Sequence, residues 1–178
     1  MVVVHLSYYP LVMRVDVNYQ KRKKDKIMLL QVKATKTKPN AQLPTWGSVN
    51  AAGADLYACL SDEQMPFVEI NPGETVMVSV GIKTEFAPGY VALIHARSGL
   101  ATKCGIAPAN KVGVIDADYR GEWFVALHNH SNETFILEDK TRIAQVLFQE
   151  VEHPEFIECD ELSETERGSG GFGSTGTK

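Results

Sequence analysis

The chain has 178 residues, 44% hydrophobic and 22% charged, which fits one compact domain with tails that can bury a core without disulfides or metal. Its 18 Lys and Arg against 22 Asp and Glu give a formal charge of −4, so no global basic field recruits nucleic acid or an anionic membrane surface. No stretch approaches the ~20 apolar residues of a bilayer span, and Cys59, Cys104 and Cys159, far apart and never in C-x-x-C spacing, argue against a disulfide framework or structural zinc and for a reducing compartment, the cytoplasm.

In chain order, residues 1–27 read as an extension outside the fold. The opening MVVVHLSYYPLVMRVDV is apolar, but its basic cluster, Lys21 to Lys26, follows it rather than preceding it, and no small-residue cleavage site comes next. That is the wrong order for a secretory signal. Met28 reads as the initiator, and the cluster as a solvated basic tail rather than a nucleic-acid or targeting patch.

From Met28 the punctuation is that of an all-β protein. Short β-branched or aromatic runs are broken every ten residues or so by Gly, Pro, Asn or Asp: IMLLQVKAT, TVMVSVGIKTEF, GYVALIHA, KVGVI, EWFVALHN, TFILE and RIAQVLFQEV. Alternation at Val76, Val78 and Val80, and at Val91, Leu93 and His95, predicts strands with one buried face. Asn71-Pro72-Gly73 and Ala87-Pro88-Gly89 are turn signals. Between Ala96 and Ile106 the alternation weakens, and Ser98 is placed to cap one or two helical turns. This even strand spacing favours a closed jelly-roll or barrel over a βαβ sheet.

After Val151 the composition shifts. EHPEFIECDELSETER is acidic and poor in β pattern, and five of the 14 glycines (Gly168, Gly170, Gly171, Gly173, Gly176) fall in the last stretch. Such a tail packs no core of its own. Arg167 and Phe172 inside it supply an anion fork and a stacking face, which suit an arm that orders over a ligand better than a spacer.

Two motif readings fail. Gly168 to Gly173 satisfies G-x-G-x-x-G but has no strand before it and no room for a helix after it, so a dinucleotide site is rejected. A P-loop is rejected because no Lys precedes Ser174-Thr175. What survives is a glycine-rich backbone with hydroxyls and an arginine, suited to oxyanions. His128 and His130, two apart on a predicted strand, face one side with the spacing of a metal pair. Without Asp, Glu or Cys at ligand spacing they read as surface histidines.

The sharper constellation is Asn110-Lys-Val-Gly-Val-Ile-Asp116-Ala-Asp118-Tyr119-Arg-Gly121. Asp116 and Asp118 lie between strands, where Asp alone is a common turn former. The apolar lead-in Val112 to Ile115 and the ring of Tyr119 go further: they resemble a pocket wall with an inward carboxylate and a ring to pack on a sugar.

Five blocks in order resemble the homotrimeric, all-β dUTP pyrophosphatases (dUTPases): Ala51-Ala-Gly-Ala-Asp55-Leu-Tyr-Ala58, Ala96-Arg97-Ser98-Gly99-Leu-Ala101, Gly113-Val-Ile-Asp116-Ala-Asp-Tyr119-Arg-Gly121, Arg142-Ile-Ala-Gln145, and Arg167-Gly-Ser-Gly-Gly-Phe172-Gly-Ser174-Thr175-Gly176. The resemblance implies a distorted jelly-roll or β-barrel over residues 28–151 and a linker with a flexible arm over residues 152–178. It also implies hydrolysis of dUTP to dUMP and pyrophosphate, which lowers dUTP and supplies the precursor of thymidylate.

Residue by residue, the resemblance makes Asp116 the carboxylate that deprotonates the water attacking the α-phosphorus, a role open to an ionised Asp at neutral pH. Tyr119 falls on the ring that packs on deoxyribose and leaves no room for a 2′-hydroxyl. Asn110 and the backbone of the Val112 to Ile115 hairpin, with Gly113, Val114 and Ile115, fall on the uracil wall; cytosine would leave its buried groups unpaired. Ser98 and Gly99 fall on a phosphate turn, with Arg97 and Gln145 as phosphate-side or supporting residues and Asp55 as a carboxylate of the Arg97 and magnesium region. Arg167, Gly173, Ser174 and Thr175 fall on the arm at the phosphates, and Phe172 over the uracil. Magnesium (Mg2+) is implied as carried by the triphosphate, without a dedicated protein cage.

His95-Ala96-Arg97 departs from members with Pro before the Arg, and Cys104 stands where a histidine is common. Two other readings stay open: a dCTP deaminase-type relative, which needs an acid-base glutamate and a different third block, and a dUTPase-fold binding or signalling module.

Overall fold

The computed structural model describes residues 30–60, 67–172 and 174. Twelve strands and one helix occur among them: β1 (Lys33–Lys36), β2 (Thr45–Trp46), β3 (Ala54–Tyr57), β4 (Phe67–Ile70), β5 (Thr75–Ser79), β6 (Ile82–Glu85), β7 (Tyr90–Ala96), α1 (Ser98–Cys104), β8 (Ile106–Pro108), β9 (Gly113–Ile115), β10 (Phe124–Asn129), β11 (Phe135–Glu138) and β12 (Arg142–Glu150). All the strand pairs are antiparallel. They form a five-stranded sheet β2-β3-β12-β7-β9, a three-stranded sheet β5-β10-β8, and two ribbons, β1-β6 and β4-β11.

One core joins the four sheets. Leu56, Ile94 and Ala144 come from the large sheet, Val78, Ile106 and Leu127 from the second, Ile82 from one ribbon, and Ile70 and Leu137 from the other. Trp123, 1% exposed, closes the core just before β10. Burying a Leu or Ile side chain contributes about 1.5–3 kcal/mol, so this apolar cluster holds together strands that are individually too short to persist. The expected all-β barrel is the architecture found.

Two turn signals act as read. Gly73 (φ 75°) and Gly89 (φ 85°) follow prolines, the pattern of type II turns, and Glu74 N–H donates to Asn71 O at 2.9 Å. Other expectations need correction. TVMVSVGIKTEF is two strands, because Gly81 takes φ 72° and a Cβ there would lie 2.6 Å from Cys59 Sγ; β5 then pairs with β10 and β6 with β1. Along β7 the alternation holds only in part: Val91 is buried as read, but so are Ala92 and Ile94 on the other face, while Leu93 and His95 are half-buried. Strands β2, β3, β4 and β8 lack the longer runs that alternation detects and were not anticipated.

The proposed start at Met28 and the whole of residues 1–27 lie outside the described residues.

Candidate active site

Strand β3 turns Ala54 and Leu56 to the core and Asp55 to the other face, where it is still only 3% exposed. A buried carboxylate needs partners, and Asp55 has three. Its Oδ1 accepts from Arg97 Nε at 2.9 Å and Gln145 Nε2 at 3.2 Å, and its Oδ2 from Arg142 Nη1 at 3.2 Å. Arg97 Nη1 also donates to Arg142 O at 3.3 Å. The first, second and fourth sequence blocks therefore meet on one carboxylate.

Arg142 was missed as a site residue, for an instructive reason. Three residues apart on a regular strand, Arg142 and Gln145 would point to opposite faces. The register shifts between Arg142 and Ala144: Gln145 opposes Asp55, yet Arg142 opposes Tyr57. This β-bulge puts both side chains on the Asp55 face and buries Ile143 and Ala144 in succession. The only signal in the sequence is Arg142 itself, the first residue of the block.

Arg97 leads directly from β7 into α1. It is the N-cap in extended conformation (φ −80°, ψ 125°) and makes no side-chain capping bond. Ser98, expected to cap the helix, is its first residue; its carbonyl accepts from Thr102 Oγ1 at 2.7 Å, and the exposed Ser98 and Gly99 leave the turn open to solvent. Two of Arg97's five N–H donors are engaged as above, and the rest have no hydrogen-bond partner among the described residues.

The segment expected to form a uracil wall is not a hairpin. β8 pairs with β10 and β9 with β7, so residues 109–112 cross from one sheet to the other. Val112 N–H donates to Asn110 O at 2.7 Å around Lys111, whose φ is 66°, a γ-turn that a non-glycine residue adopts only under strain. A Cβ on Gly113 would lie 3.1 Å from Ile94 Cβ and 3.6 Å from Asn110 Nδ2, so its bareness lets the corner close and carries Asn110 over the strand. β9 is also the last strand of its sheet. Alternate N–H and C=O groups of Gly113, Val114 and Ile115 point away from β7, and among the described residues no strand meets them.

The chain then turns, with Tyr119 N–H donating to Asp116 O at 3.1 Å. Asp116 is exposed on the wall of a cavity of about 880 Å3, with Val114, Asp118, Arg120, Lys33 and His153 also lining it. The Tyr119 ring lies across Gly121, where a Cβ would clash with it, and its hydroxyl donates to Glu122 O at 3.1 Å. The ring is pinned yet 43% exposed. Ser79 Oγ donates in turn to the Glu122 carboxyl and, as the main cause, holds it below the usual carboxylate range.

One chain does not bring all these groups together. Ile115 is in register with Ala92, five residues before Arg97 along β7, and Asp116 lies one residue farther away, so Asp116 and Arg97 are separated by roughly 20 Å at ~3.3 Å per residue. The arm is separate again. Arg167 Nε donates to Gly170 O at 2.8 Å within the arm, and Phe172 and Ser174 are exposed. Gly173 and Thr175 lie outside the described residues.

Among the described residues no three His, Cys, Asp or Glu side chains gather in a metal-binding cluster. Asp55 does not fit as a direct magnesium ligand, because both its oxygens are taken by guanidinium and carboxamide donors.

A β-barrel with a free edge strand, a carboxylate following it and an arginine leading into an exposed turn belongs to the class of all-β folds with a polar surface site. The dUTPase family model matches residues 39–176. A deoxyuridine 5′-triphosphate nucleotidohydrolase of Desulfitobacterium hafniense is 48% identical over 136 residues, 76% of this chain and 87% of the relative. That of Nautilia profundicola is 46% identical over 147 residues, 83% and 99% of the two chains. In fold, the chain is similar to a variant of the Staphylococcus bacteriophage 80alpha dUTPase with dUpNHpp (TM-score 0.70, 23% identity, 83% of this chain and 99% of that one). It is also similar to a dUTPase of phage phi11 of S. aureus in which a structural Mg(II) ion is coordinated (TM-score 0.67, 19% identity, 75% and 99%). The chain belongs to the dUTPase family.

Proposed function

We propose that the chain hydrolyses dUTP to dUMP and pyrophosphate, with residues 28–151 as the catalytic body and residues 152–178 as its closing arm. The observation that carries this reading is the free edge of β9, which places unpaired backbone donors and acceptors between Asn110 and Asp116. Backbone groups there pair with the uracil edge, and Asn110 completes the set. Cytosine presents the opposite donor pattern and leaves them unpaired. Tyr119, held against Gly121, packs on deoxyribose and excludes a 2′-hydroxyl.

Asp116 takes a proton from a water whose oxygen bonds to the α-phosphorus, and the bond from the α-phosphorus to the bridging oxygen breaks to release pyrophosphate. Arg97, Ser98 and Gly99 bind phosphate oxygens, and Gln145 and Asp55 hold Arg97 in position. Arg167, Gly173, Ser174 and Thr175 close on the phosphates and Phe172 on the base, which expels water. Magnesium, held by the triphosphate rather than by a protein cage, would supply neutralising charge.

The separation of Asp116 from Arg97 supports a homotrimer in which the sites are shared between subunits. The three cysteines are free, which suits the cytoplasm, and no helix among the described residues is long and apolar enough to cross a membrane.

The test is magnesium-dependent pyrophosphate release from dUTP, dCTP, dTTP and UTP, with each nucleotide product identified, and the mass in solution measured alongside. Release from dUTP alone, leaving dUMP, in a particle of three chains is expected. Ammonia and intact triphosphate from dCTP would mean deamination, and no reaction with any of the four would mean a binding module.

A further inference from the structure

His128 and His130 play no part in the reaction just described, and the structure places them more specifically than their spacing did. They project from the same face at the end of β10, with ring centroids 4.3 Å apart at 63°. Asn129, between them, is fully buried. Its Nδ2 donates to Ile70 O and Glu133 O, both at 2.8 Å, and its Oδ1 accepts from Ser131 N at 2.9 Å and Ser131 Oγ at 2.8 Å. His130 N–H donates to Gly105 O at 2.8 Å, while His128 is held in register with Ala107 on one side and Thr75 on the other. The backbone carrying the two rings is therefore fixed from three directions.

Thr75 Oγ1 lies 2.8 Å from His128 Nδ1. A hydrogen bond to one ring nitrogen orients a metal-binding histidine, and in the tautomer where Nδ1–H donates to Thr75 the Nε2 lone pair is left for an ion. The second imidazole stands beside it, its centroid 4.3 Å away.

We propose that His128 and His130 form a binding site for one divalent transition ion of the nickel, copper(II) or zinc class. Two imidazole nitrogens come from the protein and water completes the coordination, since no third His, Cys, Asp or Glu joins them among the described residues. Imidazole-only donation selects these borderline ions over magnesium and calcium, which require oxygen. The site is distinct from the Asp116 cavity and independent of magnesium-dUTP. It lies behind the base-reading corner, since His128 pairs with Ala107, three residues before Asn110.

The test is calorimetric titration of the untagged full chain with nickel chloride, paired with electron paramagnetic resonance of the copper(II) complex. One ion per chain and a two-nitrogen copper spectrum are expected, with saturating magnesium having no effect. The exposed His130→Gln variant should lose the isotherm and the two-nitrogen signal while keeping dUTP hydrolysis. Thr75→Val should weaken nickel about tenfold, as loss of a supporting hydrogen bond does. No binding by the unaltered chain, or undiminished binding by either His130→Gln or His128→Gln, would overturn the proposal.

Discussion

Asp55 and Arg97, 42 residues apart in sequence, are joined at 2.9 Å between Oδ1 and Nε, and the same carboxylate holds Arg142 at 3.2 Å. The pair is asymmetric. Side-chain exposure is 4% for Asp55 against 26% for Arg97 and 50% for Arg142, so the carboxylate is committed to structure while the guanidiniums keep an outward side for a ligand.

Asp55→Ala should therefore act on both stability and binding. The guanidiniums can rehydrate, so the cost falls below the 3–5 kcal/mol of a fully buried broken pair, at about 2 kcal/mol. Urea unfolding measures it. KM for dUTP should rise alongside, since Arg97 loses its anchor.

Asp116→Asn keeps shape and removes the base. Turnover should fall by at least about a hundredfold, the usual worth of a positioned general base, while affinity for a non-hydrolysable dUTP analogue stays within a few-fold. Normal turnover would move the base elsewhere.

Removing residues 167–178 should abolish most activity and leave the thermal midpoint unchanged, because Arg167, Phe172 and Ser174 are exposed and bury nothing against the barrel. Differential scanning calorimetry and steady-state kinetics on the same sample separate the two effects.

Lys111 adopts φ 66°, a region that costs non-glycine residues about 1 kcal/mol and β-branched ones more. Lys111→Val should lower stability by at least that amount and raise KM by displacing Asn110. Lys111→Gly should preserve both, as read from melting curves and initial rates.

The Glu122 carboxyl is held low by Ser79. A lowered folded value stabilises the protein above the unfolded value of ~4.3 and ceases to do so as pH falls through the folded value. Ser79→Ala should thus lower the urea midpoint at pH 7, and the gap between variant and parent should close as both carboxyls become protonated in acid.

Much of this fold was legible because apolar alternation is a local property. Runs such as EWFVALHN and RIAQVLFQEV carry it over enough residues to declare a strand. It failed where pairing decides the structure. Thr45–Trp46 and Ile106–Pro108 are strands only because β3 and β10 lie alongside them. On β7 nearly every residue is apolar, so the phase was set by which face met the core rather than by pattern. In the site, residue types in blocks were readable, but geometry was not: the bulge that brings Arg142 to Asp55 and the crossing of residues 109–112 between sheets depend on register across the molecule. The histidine pair was legible as a spacing, while the buried Asn129 that stiffens it was not.

The open edge of β9 is also an exposure to misassembly. A row of unsatisfied peptide groups accepts an extended peptide as readily as a base, which is how sheets recruit strangers. Here the row is three residues long, with Lys111 just before it and Asp116 immediately after. An intruding strand would have to lie across charges of both signs, and it would gain too few ladder bonds to hold. The edge is long enough to read one heterocycle and too short to seed a fibril.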